Sequence, residues 1–281
     1  MSGATLPPGG LAFKAREIEE VVDVYFFRRV GIVIARLAQD LRLTPTDVTF
    51  ASIAAGALGG LLLASPRSAV LGVALLVLHG ILDSSDGQLA RLTGQSSDFG
   101  RMMDGVAGYV THIAMYVGVT IAVFPRYGWW ALLFAGVAGL CTVVHAQMYD
   151  YHRTTYAAYA IRGEALPAAV GAPHGGVLGL YESMQRVIAG RHPEVEHRLA
   201  LGGAAGRVRD QDRQRYRESF YRPVRGWNLM GDNGRRLTIV IAVWAGRPEW
   251  FIIAELTLLN VVFAALWWVQ RRADDRFLEG A

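Results

Sequence analysis

The feature that most constrains this chain is a succession of long apolar runs with charges gathered where the runs end. A helix rises about 1.5 Å per residue, so roughly twenty apolar residues are needed to cross the ~30 Å hydrocarbon core of a bilayer. Runs of that kind cover approximately residues 45–64, 69–90, 100–124, 129–148 and 248–269, and a shorter one covers 237–245. Together they predict an all-α polytopic membrane protein with six transmembrane helices. Composition agrees, because a chain of 281 residues that is 52% hydrophobic and holds 32 glycines is too apolar for an ordinary soluble enzyme. The lone Cys141 excludes a disulfide framework within the chain and a cysteine zinc site. Span five is short as written, and to approach the full thickness it has to extend backwards through Arg235, Asp232 and Asn228.

Residues 1–14 read as a flexible tail and not a signal peptide, since MSGATLPPGG has neither a charged start nor an apolar stretch. From 15 to 43 the apolar residues Val22, Phe26, Val30, Val33 and Leu37 recur at three or four, with Glu17, Glu20, Arg28, Arg29 and Arg36 between them. This predicts an amphipathic juxtamembrane helix, and two placements fit it: on the membrane surface, or against the protein's own cytoplasmic face. Thr44, Pro45 and Asp47 then supply a capping hydroxyl, a first-turn proline and a first-turn acid, which opens the six-span domain at 44–281.

Three short connections hold one arginine each, Arg67, Arg126 and Arg247, leaving 25 of the 28 Lys and Arg on the other side. The positive-inside rule therefore expects both termini, and the turn between spans two and three, in the cytoplasm of a cell inner membrane. Residues 151–226 form an enlarged connection on that side, with helical pieces expected at 179–189 and 210–220. A solvated insertion and a contact with anionic lipid both suit its arginine-rich part. Nucleic acid is not an expected partner, because basic side chains beside a bilayer already have a nearer counter-charge.

The turn between spans two and three carries the chemistry. Asp83 and Asp86 are three apart and share a helix face, and Asp104 on the returning span approaches that face across the hairpin. Charges at a membrane boundary are costly and mark function. Three hard oxygen donors suit Mg²⁺ or Mn²⁺. Gly87, Ala90 and Gly100 remove side-chain bulk beside the acids, so that a flat ligand can lie against bare backbone.

Asp83, Asp86, Gly87, Ala90, Arg91, Gly100 and Asp104, at these spacings, resemble the signature of the CDP-alcohol phosphotransferases, and Pro45 to Thr49 resembles the element that opens their first span. The resemblance implies transfer of a substituted phosphate from a CDP-linked lipid donor, CDP-diacylglycerol being the expected one, to an alcohol acceptor, with release of CMP, in phospholipid synthesis. It implies that Asp83, Asp86 and Asp104 hold the metal, and that Asp83, Gly87, Ala90, Arg91 and Gly100 border the nucleotide. Arg91 is equally suited to cap its helix. It also implies a homodimer, for which Gly136, Ala138 and Gly139 offer small residues.

A fourth aspartate completes the family pattern, and in this chain that position is Gly108. If spans two and three are antiparallel, His79 faces Gly108, and its imidazole is the expected substitute base; His112 lies one turn further in. A metal-bound or substrate oxygen taking the proton, and a chain that binds nucleotide without turning it over in support of a partner enzyme, are the alternatives. A transporter would need polar positions continuing towards the outer leaflet, and spans one to three offer few. His145, Asp150, His152, Arg153, Asp232, Arg235 and Arg236 are expected near the acceptor, with Arg153 and Arg235 or Arg236 suited to clamp a phosphate. Tyr127, Trp129, Trp130, Trp250, Trp267 and Trp268 read as interfacial anchors. Glu255, inside the last span, is expected to bond another helix or a second copy rather than to act in catalysis.

Overall fold

A computed structural model describes residues 16–95, 97–166, 176–203 and 206–280. The expected tail at 1–14 lies outside these residues. In chain order the helices are α1 (Arg28–Asp40), α2 (Pro45–Leu62), α3 (Ala69–Thr93), α4 (Asp98–Tyr127), α5 (Trp129–Tyr156), α6 (Gly176–Ala189), α7 (His192–Gly202), α8 (Asp210–Trp227), α9 (Asp232–Trp244), α10 (Glu249–Ala254) and α11 (Asn260–Glu279). Among the described residues, five helical stretches are long and apolar enough to cross a membrane: Pro45–Leu62, Ala69–Thr93, Met102–Tyr127, Trp129–Arg162 and Glu249–Glu279. The fold is that of an all-α polytopic membrane protein.

The expected fifth span is the exception. At 13 residues, α9 is about 20 Å long and does not cross the core by itself. It does not extend backwards through Asn228 either, because Asn228–Met230 is a separate 3₁₀ turn and Gly231 is extended at ψ 175°. The polar first turn begins the helix at Asp232 instead.

The chain divides into two compact units, one containing residues 20–140 and 232–256, the other 17–19, 141–231 and 257–280. In the first, the amphipathic segment becomes helical at Val21 and passes through a π-helical turn, Asp23–Phe27, into α1. Its two faces divide the work. Phe27, Ile32, Ala35 and Ala38 are buried, the two alanines packing with Val48 and Leu89, while Val22, Phe26, Val33 and Leu37 are exposed. The inner face thus serves the protein, and the outer one suits a membrane surface.

The N-terminus of α2 is closed by a capping box. The Asp47 N–H donates to Thr44 Oγ1 at 3.2 Å, and the Thr44 N–H donates to the Asp47 carboxylate at 2.8 Å. Helices α2, α3 and α4 then approach until backbone meets backbone. A Cβ at Gly118 would lie 2.0 Å from the Gly60 carbonyl oxygen, and one at Gly59 would lie 2.9 Å from that of Gly72. Small residues allow this approach where lipid offers no hydrophobic drive between helices. Leu63, Leu76, Met115, Val119, Phe251 and Ile252 fill the space beside it. Trp129, Trp130, Trp250 and Trp268 are exposed, as anchors would be.

In the second unit, α6 and α8 include the two expected helical pieces, and α7 is an addition. Pro193 falls in the first turn of α7, where its missing N–H has no partner to lose. The interior here is aromatic and polar. His192, with α7, places Nδ1 2.7 Å from Asp274 Oδ1 and Nε2 3.0 Å from the Tyr216 hydroxyl, all three buried. Trp227 donates its indole N–H to Gln270 at 3.2 Å. Trp267 differs from its expected anchoring role, because its N–H donates to the Ile188 carbonyl at 2.8 Å.

Two outcomes follow from this packing. Gly118→Ala should cost about 1–3 kcal/mol through overpacking and lower the unfolding midpoint in detergent, whereas Gly139→Ala, with nothing within 4 Å of the added carbon, should not. Burial opposes the imidazolium of His192, but Asp274 and Glu196 outweigh it, so its pKa is raised. The stability from this pair is therefore full below the ordinary imidazole value of about 6.5 and lost as pH rises through the raised one. The gap in melting temperature between the parent and His192→Gln should narrow as pH rises.

Candidate active site

The hairpin that forms the site is closed by two local devices. Helix α3 ends at Gly94 in the left-handed conformation, φ 68°, and Ser97 caps α4 by accepting the Gly100 N–H at 3.0 Å. The returning chain brings Asp104 close enough to Asp83 for their charges to repel, and Asp86 adds to that repulsion. Asp86 is buried, Asp83 half-buried and Asp104 exposed. Asp86 is held by the Thr49 hydroxyl at 2.7 Å. Arg91 lies over Gly87, where a Cβ would sit 3.5 Å from its guanidinium, and attracts Asp86. Ala90 and Gly100 are part-buried on the same hairpin.

Among the described residues, no three histidine, cysteine, aspartate or glutamate side chains converge closely enough to enclose a metal ion. The donor set fits one in kind. Three mutually repelling carboxylates are relieved by a hard divalent cation, which prefers oxygen ligands.

One helical turn from Asp83, a small cavity of ≈ 10 Å³, room for about one water molecule, is lined by His79, Thr111, His112, Asp232, Arg235 and Arg236, together with Leu76 and Met115. His79 is buried, with Nδ1 2.8 Å from Ser52 Oγ and 3.1 Å from the Ser52 carbonyl oxygen. A carbonyl only accepts, so in the neutral ring the proton belongs on Nδ1 and the lone pair on Nε2. The space beside Gly108 is open: a Cβ there would meet nothing within 4 Å. The His79 ring, expected in this space, bonds Ser52 on α2 through Nδ1.

His112 approaches that space from α4. Its Nδ1–H donates to the Gly108 carbonyl at 2.8 Å, and its Nε2 lies 3.5 Å from Asp232 Oδ1. The other Asp232 oxygen is 3.7 Å from Arg236. Arg236 donates to Asn233 at 3.1 Å and stacks 5.2 Å from the Phe27 ring centre. It also lies across bare backbone at Gly80, where a Cβ would come within 3.2 Å of it.

Arg235 is buried and pairs with Glu255 at 3.3 Å, the interhelical bond expected of that carboxylate. Arg153, in the second unit, folds back on its own helix, stacking 4.8 Å from the Tyr149 ring centre and donating to the Tyr149 hydroxyl. His145 bonds Asn260 at 3.1 Å, and His152 stacks on Trp227 at 4.8 Å. The sequence reading passed over Thr49 and Thr111 as site residues. Thr49 had a signal in the element that opens the first span; Thr111, a threonine in an apolar run, had none.

Residues 42–176 match the family model for CDP-alcohol phosphatidyltransferase. That match contains the three aspartates, Gly108, His79 and His112. A phosphatidylinositol phosphate synthase of Mycolicibacterium smegmatis is 28% identical over 152 residues, covering 50% of this chain. The chain spans 65% of that relative's length. No solved structure matches.

Breaking a buried ion pair on one side leaves a bare charge and costs about 3–5 kcal/mol, whereas replacing both partners by apolar residues is close to neutral. Glu255→Ala should accordingly lower the unfolding midpoint in detergent far more than the double change Arg235→Met with Glu255→Leu.

Proposed function

We propose, from the premise that residues 42–176 form a CDP-alcohol phosphatidyltransferase domain, that the chain transfers a substituted phosphate from a CDP-linked lipid donor to an alcohol. CDP-diacylglycerol is the donor in this reading, CMP the leaving group, and the product a phospholipid. The observation that carries it is the hairpin: Asp83 and Asp86 on α3 and Asp104 on α4 share one electrostatic site beside the glycine-flanked face of Gly87 and Arg91.

Phosphoryl transfer asks the protein chiefly to position groups and offset charge. Mg²⁺ or Mn²⁺ held by Asp83, Asp86 and Asp104 supplies neutralisation of the donor's pyrophosphate. Thr49 fixes the Asp86 carboxylate at 2.7 Å, so that oxygen is pre-oriented. Gly87 and Gly100 leave backbone open to the nucleotide, with Ala90 adding little bulk and Arg91 supplying a positive charge. His79 offers Nε2 to the acceptor hydroxyl as a hydrogen-bond acceptor, the one nitrogen that Ser52 leaves for that use.

Among the acceptor-side residues, Arg236 lines the cavity with its charge matched by Asp232, and Arg235 is matched by Glu255. A phosphate on the acceptor would have to share these arginines with their carboxylates. The reading places the hairpin in the cytoplasm, where CTP-derived donors are made, and includes a homodimer. Of the three small residues in α5, Ala138 is buried, while Gly136 and Gly139 have open space at the Cβ position.

A second reading, a chain that binds nucleotide without turnover for a partner enzyme, is favoured only by the bare position at Gly108. Both are tested by CMP release from CDP-diacylglycerol in membranes with Mn²⁺. Asp86→Asn should reduce release at least about 100-fold, the scale on which lost electrostatic stabilisation acts. Release that is unaffected by Asp86→Asn overturns the proposed site, and no release by the parent chain returns the case to the binding role.

A further inference from the structure

An acceptor hydroxyl must lose its proton as its oxygen attacks phosphorus, and a positioned base within reach of the hydroxyl speeds that loss. The cavity that His79, one helical turn from Asp83, helps to line has one carboxylate in its wall, Asp232 at the start of α9. We propose that Asp232 is the proton acceptor, doing from α9 what no side chain at position 108 of α4 can do. The inference rests on the function proposed above and names the group that completes it.

Three observations place Asp232 in that role. Its two oxygens are approached from opposite partners, His112 Nε2 at 3.5 Å and Arg236 at 3.7 Å. Both distances exceed a direct hydrogen bond, so the carboxylate is oriented by charge and keeps lone pairs for a hydroxyl. His112 is itself fixed, because its Nδ1–H is committed to the Gly108 carbonyl at 2.8 Å. With Nδ1 so held, Nε2 of His112 faces Asp232 Oδ1 from a fixed ring, which makes His112 a positioning residue for Asp232. Second, the face of α4 at Gly108 is open, with nothing within 4 Å of an added Cβ, so no side chain there stands in the way of a substrate. Third, the Asp232 side chain is 45% exposed, which lets it pass a proton on to water, and although burial opposes the anion, His112, Arg236 and Arg235 outweigh it and bring its carboxyl down to about 2, so that it stands as a carboxylate.

His79 is less suited. An imidazolium there would be a cation in a site 2% exposed, beside the positive Arg236 and with only Ser52 bonded behind it.

The step balances. The acceptor's O–H bond breaks and its proton goes to the Asp232 carboxylate. A new P–O bond forms to the lipid-bearing phosphorus, the P–O bond to CMP breaks, and CMP leaves with the electron pair. Asp232 then releases the proton to solvent.

The test uses the full chain in detergent with Mn²⁺, CDP-diacylglycerol, and glycerol 3-phosphate, inositol 1-phosphate, glycerol and serine as acceptor probes. CMP release and thermal stabilisation by CMP with Mn²⁺ are both read. Asp232→Asn should lower kcat by about 10²- to 10⁴-fold, with KM for the donor within about threefold and stabilisation by CMP retained. Restoring an acid by Gly108→Asp in the Asp232→Asn background should recover at least about tenfold of the lost kcat. His112→Gln should fall between the parent and Asp232→Asn, since it loosens the base without removing it.

An Asp232→Asn protein within about threefold of the parent overturns the proposal. So does loss of CMP stabilisation together with turnover, which marks a structural role, and so does a double variant that fails to recover. Independence of CMP release from Asp86 would instead strike at the metal site of the preceding section and leave the role of Asp232 to its own variants. A parent chain that binds CMP and releases none with any probe overturns both.

Discussion

How closely α2, α3 and α4 approach one another decides the rest of the first unit. The Gly118 to Gly60 contact brings α4 backbone against α2, and the Gly59 to Gly72 contact does the same between α2 and α3. Within lipid this closeness comes from van der Waals contact and is lost if a side chain intervenes. The consequence reaches the site. Thr49 on α2 can fix Asp86 on α3, and Ser52 can hold His79, only because the helices are this near.

Charge then sets how the buried part of the unit is arranged. Arg235 with Glu255 places opposite charges together where an isolated one would be expensive, and Arg236 meets Asp232 at the part-exposed end of α9. Gly80 takes part in this by leaving room for the Arg236 guanidinium over bare backbone, with Phe27 stacked beyond. The amphipathic N-terminal segment is thereby tied to the cavity, since the residue it contributes borders the cation that holds Asp232. The three aspartates of the hairpin differ, because they set like charges near one another.

The long connection, for which a solvated insertion and a contact with anionic lipid were both open, contributes α6, α7 and α8 to a packed second unit. Its interior is held by His192, Asp274, Tyr216 and Gln270, with Phe220 and Phe277 stacked nearby at 5.5 Å. Such a buried polar network specifies one arrangement of its helices and penalises others. The arginines that made the segment look like a charged tether are spent in part on this: Arg213 donates to the Ala160 carbonyl at 2.9 Å, and Arg215 to that of Phe277 at 2.8 Å.

The sequence by itself determined the membrane class, three of the spans in nearly their final bounds, the cap at Thr44, and the hairpin that carries Asp83, Asp86 and Asp104. These follow from hydrophobic run length, capping chemistry and spacing along one helix, all of which act over a few residues. It also settled that Glu255 needs a partner, because a buried carboxylate is costly anywhere. It did not decide that α9 stops at 13 residues, that α7 exists behind Pro193, that His79 turns to Ser52, or that His112 meets Asp232. Each of those depends on which helix lies beside which, and pairing between residues 120 positions apart leaves no periodic trace in the chain. Spacing tells which face a residue occupies; only packing tells what that face meets.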